Sequence, residues 1–253
     1  MRIKLFAVAA TAALVATLVP GSAHANHSWG GYHWARTANP FTLKLGDNVD
    51  NNWQSFLTQA SSDWSQSTVL DTTVVTGSTR PRTCKATTGR VEVCNASYGQ
   101  TGWLGIASIS ITGGTHITQG TVKLNDTYFT GSYNTPAWRA LVTCQEIGHT
   151  FGLDHQDENF NNANLGTCMD YTNDPSTNQH PNQHDYDELV TIYSHLDSTT
   201  TVGMTAPTKG KAVGNYRSSW GHIVAASKGG AEEMFVRDFG NGNKIVTFVF
   251  YAR

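Results

Sequence analysis

Apolar and polar residues alternate along Phe41-Thr-Leu-Lys-Leu45, the two-residue period of a half-buried strand. The period then changes. Trp53, Phe56, Leu57, Ala60 and Trp64 recur at helical spacing, with Asn51 or Asn52 available as a cap. Strand-like runs return at Asp71–Val75, Arg90–Cys94, Gly105–Ile111 and Gly120–Leu124. Thr135-Pro136 marks the start of a second helix, with Thr135 as cap and Pro136 in the first turn. On it, Trp138, Leu141 and Val142 share a face with Gln145 and His149. A third helix is signalled by Asp185-Tyr-Asp-Glu188, an aspartate version of the capping box. Tyr186, Leu189, Val190, Tyr193 and Leu196 form its apolar face.

Both ends of the chain differ from this middle. Residues 198–208 are rich in Thr, contain Gly203 and Pro207, and read as a linker. Beyond it, Asn215–Arg217, His222–Ala225, Glu233–Arg237 and Lys244–Tyr251 suggest a small strand-rich segment over 209–253. A hairpin turn is expected at Asp238–Asn243. That segment could bind substrate or simply cap the domain before it. At the other end, Arg2 and Lys4 precede an apolar run from Leu5 to Val19, and Ala23-His-Ala25 is a small-residue cleavage site. Residues 1–25 therefore read as a signal peptide, with the mature, secreted chain starting at Asn26. The apolar run is too short to span a bilayer, so no membrane partner is expected.

Charged residues are 14% of the chain and the formal net charge is −2, with no basic cluster, which argues against nucleic acid as a partner. Four cysteines in an exported chain suggest two disulfides. Three pairings are open. Cys84–Cys94 with Cys144–Cys168 is preferred because each closes a local loop. Asn95-Ala-Ser97 and Asn125-Asp-Thr127 are glycosylation acceptors if the host is eukaryotic.

The chemistry is concentrated at Gln145-Glu-Ile-Gly-His-Thr-Phe-Gly-Leu-Asp-His155. Residues 145 and 149 are one helical turn apart and can reach a single ion. Glu146 is placed to take a proton from water there, Gly152 can turn the chain after the helix, and His155 can return to the same point. Cys168-Met-Asp-Tyr171 follows at a short distance.

This segment resembles the metzincin metallopeptidases, and looks most like the matrixin version. Their pattern is H-E-x-x-H-x-x-G-x-x-H, with a methionine turn beneath the metal, which Met169 matches. In astacins and serralysins a tyrosine two residues after that methionine approaches the metal, the position of Tyr171. The resemblance implies an α+β fold. A metzincin-like catalytic domain over 26–197 would have a mixed twisted sheet, an active-site helix and a C-terminal helix, followed by the small β-rich appendage. It also implies a zinc-dependent endopeptidase acting on polypeptide substrates as a secreted monomer. His149, His155 and Gln145 are then the metal residues, and Glu146 and Tyr171 the catalytic ones.

Gln145 departs from the pattern, because it stands where the family has a histidine. It could coordinate through its amide oxygen, or His116, His180 or His184 could replace it. Otherwise the site holds no metal, and the chain is an inactive metzincin-like module that binds a peptide or protein. Asp157 and Glu158 could order the loop after His155 or hold calcium.

Overall fold

The alternating runs become strands of one sheet, and the helical runs pack on it. The computed structural model describes residues 27–205, 213–227 and 230–253; the signal peptide expected at 1–25 and part of the expected linker lie outside these. Four strands are parallel: β2 (Phe41–Asn48), β3 (Leu70–Thr76), β4 (Val91–Ala96) and β6 (His116–Asn125). Strand β5 (Trp103–Thr112) runs antiparallel to β6. A two-residue strand missed by the periodicity, β1 (His33–Trp34), pairs with the start of β6.

The C-terminal segment continues this same sheet. Strand β9 (Asn243–Tyr251) pairs antiparallel with β5, and β8 (Glu232–Gly240) and β7 (His222–Ala226) follow outward. The order is β3-β2-β4-β6-β5-β9-β8-β7. The hairpin turn expected after Asp238 is present, while Arg217–Ser219 is a 3-10 turn where a strand was expected. Thr201, within the expected linker, is buried and donates to the Ile117 carbonyl at 2.6 Å.

Helix α1 (Gln54–Trp64) carries the expected apolar face, but its cap position is Trp53 and no side chain caps it. Helix α2 (Pro136–His149) begins as its sequence requires: the Thr135 side chain accepts from the Trp138 N–H at 3.2 Å. Helix α3 (Gln183–Ile192) is capped by Asn182, with Asp185 completing the box three residues in. Tyr193 and Leu189 are buried, whereas Val190 and Leu196, counted above in the apolar face, are exposed. Burying one narrow stripe suffices for a helix so short.

The core lies between α1, α2 and one face of the sheet, where Trp53, Trp64, Phe151, Phe248 and Met169 meet. Trp64 donates its indole N–H to the Cys144 carbonyl at 3.1 Å, fixing α1 to α2. The opposite face of β5, β8 and β9 carries a smaller cluster containing Trp103, Phe235 and Trp220. Cys84 is bonded to Cys94 and Cys144 to Cys168, the preferred pairing. The second bridge ties α2 to the segment carrying Met169 and Tyr171. The Asn95 and Asn125 side chains are buried and their amides are used inside the protein, Asn95 on Asp126 and Asn125 on the Gly99 and Trp103 carbonyls. Neither is an accessible glycan acceptor in the folded chain.

Close packing under α2 depends on Gly148. A Cβ there would lie 2.7 Å from both Met169 Sδ and Trp64 Cζ2. Gly148→Ala is expected to destabilise the protein by about 1–3 kcal/mol, the range for overpacking a filled core. Urea denaturation measures it, and an unchanged midpoint would show that this layer yields without cost.

Candidate active site

Helix α2 delivers Gln145, Glu146 and His149 to a point between its C-terminal end and strands β5, β8 and β9, and all three are buried. After the helix, Gly152 adopts φ +99°, and a Cβ there would lie 2.0 Å from the Tyr32 carbonyl oxygen. Glycine is what allows this reversal. The chain then brings His155 back against His149, with ring centroids 4.5 Å apart.

The two imidazoles are set differently. His149 Nδ1 lies 2.9 Å from the Leu153 carbonyl, which can only accept, so Nδ1 carries the proton and Nε2 keeps a lone pair. Burial first, and the neighbouring His155 second, push the His149 pKa down to about 3, so the ring stays neutral. Burial also disfavours charge on His155, but Glu232 and Asp154 outweigh it and raise its pKa to about 10.

Glu232, which the sequence reading passed over, completes the group. Its Oε2 lies 2.5 Å from His155 Nε2, and both side chains are about 5% exposed. The contact pairs the two side chains while the imidazole is protonated, and each raises or lowers the other's pKa accordingly. Gln145 Nε2 donates to both Glu232 oxygens, at 3.1 and 3.3 Å. One coordinating atom each from His149, His155 and Glu232 lie within 4.8 Å of one another.

Period-two geometry explains how a residue so distant in sequence arrives here. In β8, Glu232 shares its face with Met234, which packs in the core beneath α2. The next residue, Glu233, faces away and takes the Tyr251 hydroxyl at 2.8 Å and Arg217 at 2.7 Å. The signal is present as that alternation, but the run expected from sequence starts one residue later, at Glu233.

Glu146 lies over β5, where the Ala107 N–H reaches its carboxyl. Gly105 makes room: a Cβ there would be 2.5 Å from Glu146 Oε1. Burial first and Glu232 second raise the Glu146 pKa well above the usual carboxyl range. Glu146 Oε2 and Gln145 Oε1 are buried with no hydrogen-bond partner. Tyr171 lies tilted against His155, ring centroids 4.3 Å apart, and burial followed by Glu232 raises its phenol far above normal.

The structure thus gathers Gln145, Glu146, His149, His155 and Tyr171 in one place. The three histidines weighed as replacements for the missing ligand lie elsewhere. His180 pairs with Asp63 at 2.8 Å, His184 stacks on His27, and His116 is 3.2 Å from Asp197. Asp157 accepts the Asn159 N–H at 2.6 Å and holds Asn162, ordering its own loop. Two neutral or neutralisable imidazoles, one carboxylate and an unpartnered amide oxygen are a donor set that suits zinc. Beside His155, Glu232 and Tyr171 there is a cavity of about 10 Å³, the size of one water.

No family model matches the chain, and no curated protein matches its sequence. Among solved structures it is similar to high choriolytic enzyme 1, a hatching enzyme zinc-protease from Oryzias latipes (medaka fish). The identity is 9% and the TM-score 0.37, over 67% of this chain and 98% of that one. At that level of similarity, what this chain does must be argued from its own residues.

Replacing Glu232 with Ala is expected to weaken any zinc held at this centre by more than ~100-fold, because one of the three converging donor groups is removed. Gln145→Ala removes the amide N–H that orients that carboxylate together with the unpartnered Oε1 beside it, and about 10–100-fold is expected. Chelator competition measures both, counting the zinc that His149→Ala abolishes. Parent-like affinity in the Glu232 variant would take it out of the ligand set.

Proposed function

We propose that this chain is a secreted, zinc-dependent endopeptidase of metzincin type whose centre is covered by its own C-terminal strands. One observation carries the reading: donor atoms of His149, His155 and Glu232 meet at a single buried point, with Tyr171 against His155 and the buried, unpartnered Glu146 Oε2 beside them. His149, His155 and Glu232 would hold the ion, with Gln145 orienting Glu232 and offering Oε1 beside it. Zinc there would polarise a peptide carbonyl and make water acidic enough to lose a proton at neutral pH.

The residues of the chain supply the rest. Glu146 Oε2, which has no partner, would accept the proton from water and pass it to the leaving amine. Its raised pKa helps a carboxyl do both. The Tyr171 hydroxyl would donate to the oxygen on which negative charge develops. The Leu153 carbonyl and Asp154 would keep the two imidazoles oriented.

An extended peptide binds beside such a centre by adding a strand to the nearest sheet edge. Strand β5, which holds Gly105 against Glu146, is the strand in question, and β9 already pairs with it from Trp103 to Ile111. Substrate can enter only when β8 and β9 give way. That closure favours one alternative: a module that keeps the peptidase-type centre but holds ligands without cutting them. Export suits both readings, since both disulfides would survive there. No helix among the described residues is long and apolar enough to cross a membrane.

Turnover of an unfolded polypeptide by the zinc-loaded parent is expected to be near background in buffer. It should rise in sub-denaturing urea as the C-terminal strands open locally. Glu146→Gln should lower that turnover by about 10²–10⁴-fold at every urea concentration, with zinc content unchanged. A zinc-loaded parent that stays inactive throughout would favour the non-cutting module.

A further inference from the structure

A second group of metal-binding side chains lies outside the centre described above. Here His33 on β1, His116 at the start of β6 and Asp197 beyond α3 bring one donor atom each within 4.8 Å of one another, and His195 stands beside His33 and Asp197. His33 Nε2 is 3.5 Å and His116 Nε2 3.2 Å from the same oxygen, Asp197 Oδ1. His195 Nε2 is 3.2 Å from His33 Nε2 and 3.8 Å from Asp197 Oδ1. We propose that His33, His116, His195 and Asp197 form a second metal site, suited to zinc, that fastens the N-terminal strand and the segment after α3 to the sheet.

The spacing fits the ion. Four ligands about 2.0–2.1 Å from a tetrahedral zinc stand about 3.3–3.4 Å from one another. The Asp197–His116, Asp197–His33 and His33–His195 separations, 3.2, 3.5 and 3.2 Å, lie near that value, and the half-exposed His195 ring would turn to complete the set. Three imidazoles and one carboxylate suit zinc and its first-row neighbours, not calcium or magnesium, which take oxygen ligands.

The surrounding bonds point the ligand atoms inward. His33 Nδ1 lies 2.7 Å from the Gly31 carbonyl, which can only accept, so Nδ1 bears the proton. In the neutral ring, Nε2 then presents a lone pair to Asp197 Oδ1 and cannot donate to it. On the other partner, Oδ2 of Asp197 is taken by the Arg36 backbone N–H at 3.1 Å and its guanidinium at 2.8 Å. Two lone pairs, on His33 Nε2 and Asp197 Oδ1, therefore face one another in a partly buried place. A cation between them resolves that conflict and gathers His116 and His195 to it.

The mechanical result follows from sequence distance. Strand β1 is only two residues long, and Asp197 lies 164 residues from His33. One ion would join three segments that are otherwise linked here by hydrogen bonds and packing.

Zinc uptake by the full mature chain tests this, with zinc as the probe. His116 and His195 side chains are 33% and 51% exposed, so H116A/H195A should fold. The double variant is expected to bind one zinc fewer than the parent by elemental analysis. With chelator present both should melt at the same temperature, and added zinc should stabilise the parent more. If the double variant melts lower in chelator, H195A alone serves, with at least tenfold weaker zinc affinity at this site expected. Equal zinc content and affinity in parent and variants, or no zinc uptake by the parent, would overturn the proposal. Loss of the other centre in H149A leaves this comparison intact.

Discussion

A carboxylate and an imidazole, both buried, meet 2.5 Å apart where β8 passes the turn that follows α2. Either group alone would cost several kcal/mol in so dry a place, and removing one partner from such a pair typically costs about 3–5 kcal/mol. Their meeting therefore fixes how the C-terminal strands sit on the sheet. Gln145 reinforces it by donating to both oxygens of Glu232. Phe248 of β9 stacks on His149 with rings 4.3 Å apart and nearly parallel, so the apolar and polar halves of the contact demand the same register. A slip of one residue would turn Glu232 out and Glu233 in, breaking both.

That contact needs α2 to lie unusually close to the sheet on one side and to Met169 on the other. Gly105 and Gly148 meet these two requirements, since neither position has space for a methyl group. Gly152 meets a third, by turning the chain within reach of the Tyr32 carbonyl. The Cys144–Cys168 bridge then holds the loop carrying Met169 and Tyr171 to the same helix. Small residues and one covalent link thus place groups that could not reach the point by side-chain length alone.

Much of this arrangement is legible in the sequence, for reasons that differ by element. Strand β2 and helix α2 announce themselves because half-buried elements alternate apolar and polar residues at their own period, whereas β4 and β5, buried on both faces, show as short runs bounded by turn residues. The cluster at residues 145–155 is legible because its members are local and tied to one helix turn. Glu232 is 87 residues from Gln145, and no local rule links them. Its parity with Met234 would have flagged a carboxylate on a buried face, had the strand been started one residue earlier. The two-residue strand at His33–Trp34 left no periodic trace, and with it went the grouping of His33, His116 and Asp197. The continuous sheet was hidden for a similar reason. Nothing in Lys244–Tyr251 says which edge it will join, because pairing partners are settled by the faces that remain apolar.

The exchange at position 145 alters more than the kind of donor atom. A ligand on α2 is supplied by the helix itself and stays when distant segments move. A ligand on β8 arrives only when the C-terminal strands are paired with β5. Any ion bound through Glu232 then favours the paired arrangement, and pairing favours the ion, by the same free energy in both directions. In the proposed site, a ligand supplied by the sheet would make opening of the C-terminal strands loosen the metal. A peptidase built so must trade part of its hold on zinc for access to substrate, whereas a module that never opens faces no such conflict. The tightness of zinc in the opened state is therefore the quantity that separates the two.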